Sequence, residues 1–307
     1  MSINTLLANT PRIGNALRYW FSERPRSNTL FRAFPLNILT SEKTIERIIK
    51  ERLSIARFGD GELDILLGSS GIAFQNGSKE LQARLLSVLK RQDNSLLVCL
   101  PSCLTETGVG QLIGKSERYW RRYVLSHLGQ IVELLPKDGV YGDAFITRPY
   151  ITWRQPHQHA VQNYKKLKEI WNGRNLLVVE GNKTRLGVGN DLFAQSLSIR
   201  RILAPGTDAF SQYNAILRCV LDNYRQNDLV LLALGPTATV LAAELAEHGI
   251  QALDVGHVDI EYCWFKMGVS EKVAVPGKYT NEVENGRIVS EISDDGQYIS
   301  QVLARIE

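Results

Sequence analysis

The chain has 307 residues, 44% of them hydrophobic and 22% charged, and a formal charge of +4. These values are ordinary for a globular domain and exclude a disordered chain, a collagen and a multi-span membrane protein. So small a charge does not call for nucleic acid, but it suits an anionic ligand or a membrane surface.

Residues 1–40 read as a basic, aromatic N-terminal extension. In it Arg12, Arg18, Arg24, Arg26 and Arg32 interleave with Trp20, Phe21, Phe31 and Phe34. Such a segment either packs its rings on the domain or lies on an anionic membrane. Residues 41–307 read as one α/β domain without repeats or an obvious linker. Thr40 or Ser41 caps a helix in which Ile45, Ile48 and Ile49 form a stripe. A short strand over 54–58 follows, then a helix over 79–92. The continuous apolar run "SLLVCLP" has the pattern of a strand buried on both faces. A helix over 116–135 places Trp120, Tyr123, Val124, Leu128 and Ile131 on one side. Strands at 175–181, 199–205, 228–235 and 251–257 then alternate with helical segments, including 208–224 and 238–248, the last closed by Gly249. That alternation specifies a Rossmann-like, mostly parallel sheet with helices on both faces. The tail over 266–307 is polar and weakly periodic.

Cys99, Cys103, Cys219 and Cys263 match no zinc or redox spacing and read as reduced thiols. With no secretory pattern and no apolar run of about 20 residues, a cytoplasmic protein is expected.

Ligands of open α/β sheets bind beyond the carboxyl ends of the strands, and chemistry-bearing residues cluster there. In "ARFGDGEL", Asp60 and Glu62 lie two residues apart; in extended backbone both side chains project to one side and converge on a cation such as Mg²⁺ or Mn²⁺. The turn at Gly235, with Thr237 or Thr239 as helix cap, offers N–H groups to a phosphate. In "DVGHVDIEYCWF", an extended backbone would put His257, Asp259 and Glu261 on one face, as metal ligand, general base and orienting partner. Asp143 and Arg148 share "YGDAFITRPY". Lys183 and Arg185 bring cations to the glycine-rich "VEGNKTRLGVGNDLF", which suits a diphosphate; either loop could instead be held by an Arg–Asp pair.

With these pieces in order, together with "ILAPGTDAF" and "LLALGPTATVLAAELAEHGIQALDVGHVDIEY", the chain resembles the bacterial glycosyltransferases of the GT-D fold over residues 55–265. The resemblance implies transfer of a sugar from a UDP-sugar to a growing glycan in surface polysaccharide or glycoprotein assembly. It also implies a divalent metal at the Asp-x-Glu motif, here Asp60 and Glu62, and inversion at the anomeric carbon. Arg57, Lys183 and Arg185 would then face the leaving diphosphate, with Asp143, Arg148, Gly235, Thr237 and Thr239 as further substrate contacts. His257 would join the metal. Asp259 is the expected base, with Glu62 second. The acceptor can be lipid-linked, reached through the N-terminal extension at the inner membrane face. The competing reading is another metal-dependent phosphoester enzyme on such a sheet, a phosphohydrolase or nucleotidyltransferase, for which five histidines are few; a non-catalytic nucleotide-sugar-binding protein is a third.

Overall fold

The computed structural model describes residues 18–289 and 296–307; Arg12 of the basic, aromatic segment lies outside them. The strands are Asn37–Ile38 (β1), Ser54–Arg57 (β2), Gly71–Ile72 (β3), Gln75–Asn76 (β4), Leu96–Leu100 (β5), Val140–Asp143 (β6), Asn175–Gly181 (β7), Ser198–Ala204 (β8), Leu229–Ala233 (β9), Ala252–Asp254 (β10) and Val302–Arg305 (β11). Nine of them form one sheet in the order β1-β6-β5-β2-β10-β9-β7-β8-β11. Every neighbouring pair is parallel, while β3 and β4 make a separate antiparallel hairpin.

Strands β5 and β9 are apolar throughout because helices cover both faces. All five residues of β5 and of β9 are buried. On one face the helices Lys79–Leu89, Gly114–Leu134, Tyr213–Asn223 and Pro236–Glu247 contribute Leu85, Leu128, Ile216 and Leu241 to a single core. On the other, Ser41–Glu51, Pro156–Trp171 and Val258–Met267 contribute Ile48, Trp171 and Trp264. Each such side chain stabilises the fold by roughly 1.5–3 kcal/mol. Thr40 is the cap of the first of these three helices, accepting from the Lys43 amide at 3.2 Å.

The described part of the segment before residue 40 packs on the domain. Helix Arg24–Ala33 buries Phe31 in the first core, and Arg121 donates to Ser27 and Asn28 at 2.9 and 2.7 Å. β1 pairs with β6 at the sheet edge. The weakly periodic tail also belongs to the sheet: β11 pairs with β8 at the other edge. Two-residue and late edge strands carry little periodicity, which is why their pattern was faint.

Candidate functional site

β2 lies between β5 and β10, with Ser54 opposite Leu96 and Leu253 opposite Ile55. Arg57 and Asp254 therefore emerge side by side at the carboxyl ends. The Arg57 guanidinium bonds the Asp254 carboxylate at 2.8 Å and the Asp254 carbonyl at 2.7 Å. Gly256, with φ +44°, makes room for this pair, since a Cβ there would meet Arg57 Nη2 at 2.0 Å. Beyond the pair opens a cleft of about 370 Å³, bordered by Asp60, Glu62, Phe74, Arg148, Gly235 and His257 among others.

The strand ends at Arg57, and Asp60 begins helix Asp60–Leu66. This corrects the extended reading of Asp60 and Glu62. Glu62 instead sits at the third helical position and its carboxylate accepts from the Gly59 amide at 2.8 Å, the capping arrangement that satisfies a free helix N–H. The two side chains leave the helix in different directions but both border the cleft. Burial, then the nearby Asp254 charge, pushes the Glu62 carboxyl up to about 7. Asp60 is fixed from outside the cleft: Tyr119 of helix Gly114–Leu134 donates to Asp60 Oδ2 at 2.6 Å, and Tyr123 donates to Asp64 at 2.8 Å.

Residues 258–267 form a helix rather than a strand, so His257, Asp259 and Glu261 do not share a face. The alternation of polar and apolar residues there reflects two buried carboxylates pointing to opposite sides. Asp259 lies outside the cleft, bonded to Lys278 and Asn190; Glu261 accepts from the Tyr150 and Ile151 amides. His257 does line the cleft. Burial, then the Arg148 charge, pushes its imidazole down to about 4, so it is neutral at pH 7. Arginine can only donate, so His257 Nδ1 accepts from Arg148 at 3.1 Å and the proton sits on Nε2, facing Asn281 Oδ1 at 3.0 Å. With both nitrogens engaged, the ring is poorly placed as a metal ligand. Arg148 pairs with Glu282 at 2.6 Å, not with Asp143.

Several other expected contacts are structural. Asp143 is buried, accepting from Ser41, Ser102 and Phe145, and joins three segments at the end of β6. Lys183 is exposed and does not border the cleft. Arg185 is buried and donates to the Gly277 carbonyl at 2.6 Å; Gly181 and Thr184 of the same loop border the cleft instead. The helix after β9 starts at Pro236 with Gly235 as its cap. Thr237 and Thr239 are buried in its first turn, bonding Gln75 and the Arg57 carbonyl. Gly235 itself, at φ +55°, lies under Phe74, which a Cβ would meet at 2.4 Å.

The β3–β4 hairpin forms one wall through Ile72, Ala73 and Phe74. Gln75 ties it down: its amide group donates to Asp208 at 2.6 Å, and its carbonyl oxygen accepts from the Phe210 amide and Thr237 hydroxyl, both at 3.2 Å. The strand-end rule applied to β10 would also have found Asp254. Nothing in the polar tail pointed to Tyr279, Asn281 and Glu282, which complete the rim.

Among the described residues Asp60 Oδ1 accepts no hydrogen bond, and Glu62 Oε1 accepts none from another residue. These are hard oxygen donors of the kind Mg²⁺ and Mn²⁺ take. No group of three or more His, Cys, Asp or Glu able to hold a metal occurs among the described residues. The fit is therefore to an ion held by one or two carboxylates and completed by water and phosphate, the usual habit of Mg²⁺.

An all-parallel Rossmann-like sheet with a carboxylate-bearing cleft at its strand ends defines an α/β protein that binds its ligand at that edge. Comparison narrows the class. Residues 55–283 match the family described as "Glycosyltransferase GT-D fold", and the chain belongs to that family. It is 37% identical over 272 residues to "Probable glycosyl transferase Gly" of Streptococcus gordonii, covering 88% of this chain and 39% of the relative. It is 38% identical over 276 residues to "Glycosyltransferase GlyD" of Streptococcus pneumoniae serotype 4, covering 89% and 33%. The chain thus spans between a third and two-fifths of the length of these relatives. Among solved structures, one described as "The highly conserved domain of unknown function 1792 has a distinct glycosyltransferase fold" is 36% identical, with a TM-score of 0.84 over 93% of this chain and 100% of that one. Another, "A New Glycosyltransferase (DUF1792) from Streptococcus sanguinis", is 37% identical, with a TM-score of 0.82 over 89% and 100%.

Proposed function

We propose that the chain is a metal-dependent, inverting glycosyltransferase that moves a sugar from a UDP-sugar to a glycan acceptor in surface polysaccharide or glycoprotein assembly. The observation that carries this reading is the pair of unshared carboxylate oxygens, on Asp60 and Glu62, at the edge of the cleft in a chain of this family. Asp60, braced by Tyr119, would hold the metal. The ion, when bound, neutralises charge developing on the leaving diphosphate. Gly235 and Thr184 offer the backbone and hydroxyl contacts along the cleft floor, and Arg57 adds positive potential from beneath.

Glu62 is the proposed base in place of Asp259, which lies outside the cleft. The acceptor hydroxyl oxygen forms the new bond to the anomeric carbon as the carbon–oxygen bond to the diphosphate breaks. UDP leaves with the electron pair and the hydroxyl proton passes to Glu62. A carboxyl held near 7 suits that task, because a base works best when its pKa lies near the working pH.

The test is UDP release from a panel of UDP-sugars, with Mn²⁺ or with EDTA, for the wild type and Asp60→Asn. The expected result is metal-dependent release in the wild type and a loss of at least about 100-fold in the variant at unchanged melting temperature. Undiminished release by Asp60→Asn in EDTA would overturn the assignment.

A further inference from the structure

The segment Tyr19–Glu23 packs against helix Gly114–Leu134. Tyr19 is buried, whereas Trp20 and Phe21 are 55% and 81% exposed. Two large rings turned to solvent beside a buried one are unusual for a segment whose only task is to cover a core. Arg24 lies over the Trp20 ring at 4.4 Å. Glu23 is buried and pairs with Arg18 at 3.3 Å and with Arg122 at 2.8 Å, which ties the aromatic segment to the helix. On the same helix Lys115 and Arg118 are exposed and form no ion pair among the described residues. The nearest helix carboxylate, Glu117, is buried against Arg121 and Arg154. Exposed rings beside unneutralised cations are what an anionic bilayer surface attracts.

Tyr119, one residue from Arg118, bonds Asp60 at the rim of the cleft. The patch therefore adjoins the site. We propose that Trp20, Phe21, Lys115 and Arg118 form a docking surface for an anionic lipid bilayer that sets the rim of the cleft at the membrane. The use of this contact, delivery of a lipid-borne acceptor, rests on the transferase reading above; the contact itself does not. The rings would enter the headgroup region while the cations stay at its surface, a peripheral attachment without a spanning segment. No described helix is long and apolar enough to cross a membrane.

The experiment is co-sedimentation of the full chain with phosphatidylcholine vesicles, with and without phosphatidylglycerol. The wild type is expected to bind only the anionic vesicles. Each cation removed should weaken binding about fivefold, so Lys115→Gln with Arg118→Gln should lower it by about 25-fold. Phe21→Ala should lower it as well, at unchanged melting temperature since that ring is 81% exposed, and Trp20→Ala with Phe21→Ala should lower it further. UDP release without vesicles, measured in parallel, should be unchanged in both double variants. Equal binding to neutral and anionic vesicles, or wild-type binding by either double variant, would overturn the proposal. Anionic-vesicle binding by a chain that releases no UDP from any UDP-sugar would leave this surface standing and sink the transferase reading.

Discussion

Glu62 has two duties that pull in opposite directions. Its carboxylate closes the start of a helix by accepting from Gly59, yet burial and Asp254 favour its protonated form. The sign of the consequence is fixed. Its proton is held more tightly in the folded chain, near 7, than in the unfolded one, near 4.3. The stabilising contribution is whole below the unfolded value and is lost as the pH rises through about 7. Glu62→Gln keeps a cap oxygen and cannot ionise. It should be at least as stable as the wild type at pH 8, with a smaller decline in melting temperature between pH 5 and 8, and its transfer should fall by roughly 100-fold or more. A wild-type decline that persists in the variant would assign the pH dependence to another group. In the wild type, kcat/KM should fall on the acidic side as Glu62 takes up its proton. His257 offers a contrast: neutral in the fold and held down by burial and Arg148, it cannot supply that limb. His257→Asn should therefore leave the limb in place while altering KM, checked by the same profile.

At the scale of elements, the long helices and central strands were legible because burial on one or both faces imposes a period. Helix 79–92 ends at Leu89, and 116–135 runs from Gly114 to Leu134. The errors fell where polar residues are buried. "HVDIE" alternates like a half-exposed strand, but Asp259 and Glu261 are both inside, paired with Lys278 and with backbone amides. Periodicity assumes that polar means exposed, and it inverts when ion pairs enter the core. Asp60 and Glu62 border the cleft on a helix rather than a strand, since Gly59 and Gly61 hid a helix start behind apparent extension. The hairpin wall makes its own prediction. Gly235→Ala places a methyl group against Phe74 at a backbone angle that favours glycine. It should lower the melting temperature and weaken UDP-sugar binding together, measured by thermal shift with and without the nucleotide. Loss of stability with binding intact would show that Phe74 moves aside without disturbing the cleft.

Across the whole molecule, the parallel sheet brings Arg57, Asp60, Glu62, Asp254 and His257 to the carboxyl ends of its strands, while its two edges are closed by late or short strands. β11 covers β8, and behind it Tyr298 bonds Glu180, which in turn pairs with Arg201 at 2.7 Å. None of this was visible in a tail with few apolar repeats, because the strand brings only four residues to the sheet. A chain ending at residue 289 would leave β8 as an open edge, with the Arg201–Glu180 pair stripped of Tyr298 and Gln301. It should melt several degrees lower and form aggregates on heating, followed by light scattering. A truncated chain that melts like the full one would make β11 an ornament of the sheet.

Gln75 joins three segments through a single amide, giving at one end and receiving at the other. Its isostere glutamate would preserve shape and reverse that polarity toward Asp208. Two carboxylates would then face each other across the gap that the amide now closes. In acid one of them takes up a proton and the fastening survives; in neutral solution they repel and the fastening loosens, leaving the bonds of Phe74 and Asn76 to Asp208. One atom exchanged, nitrogen for oxygen, would turn a permanent fastening into one that opens and closes with acidity, readable as a pH-dependent change in the fluorescence of a dye placed at Ala73.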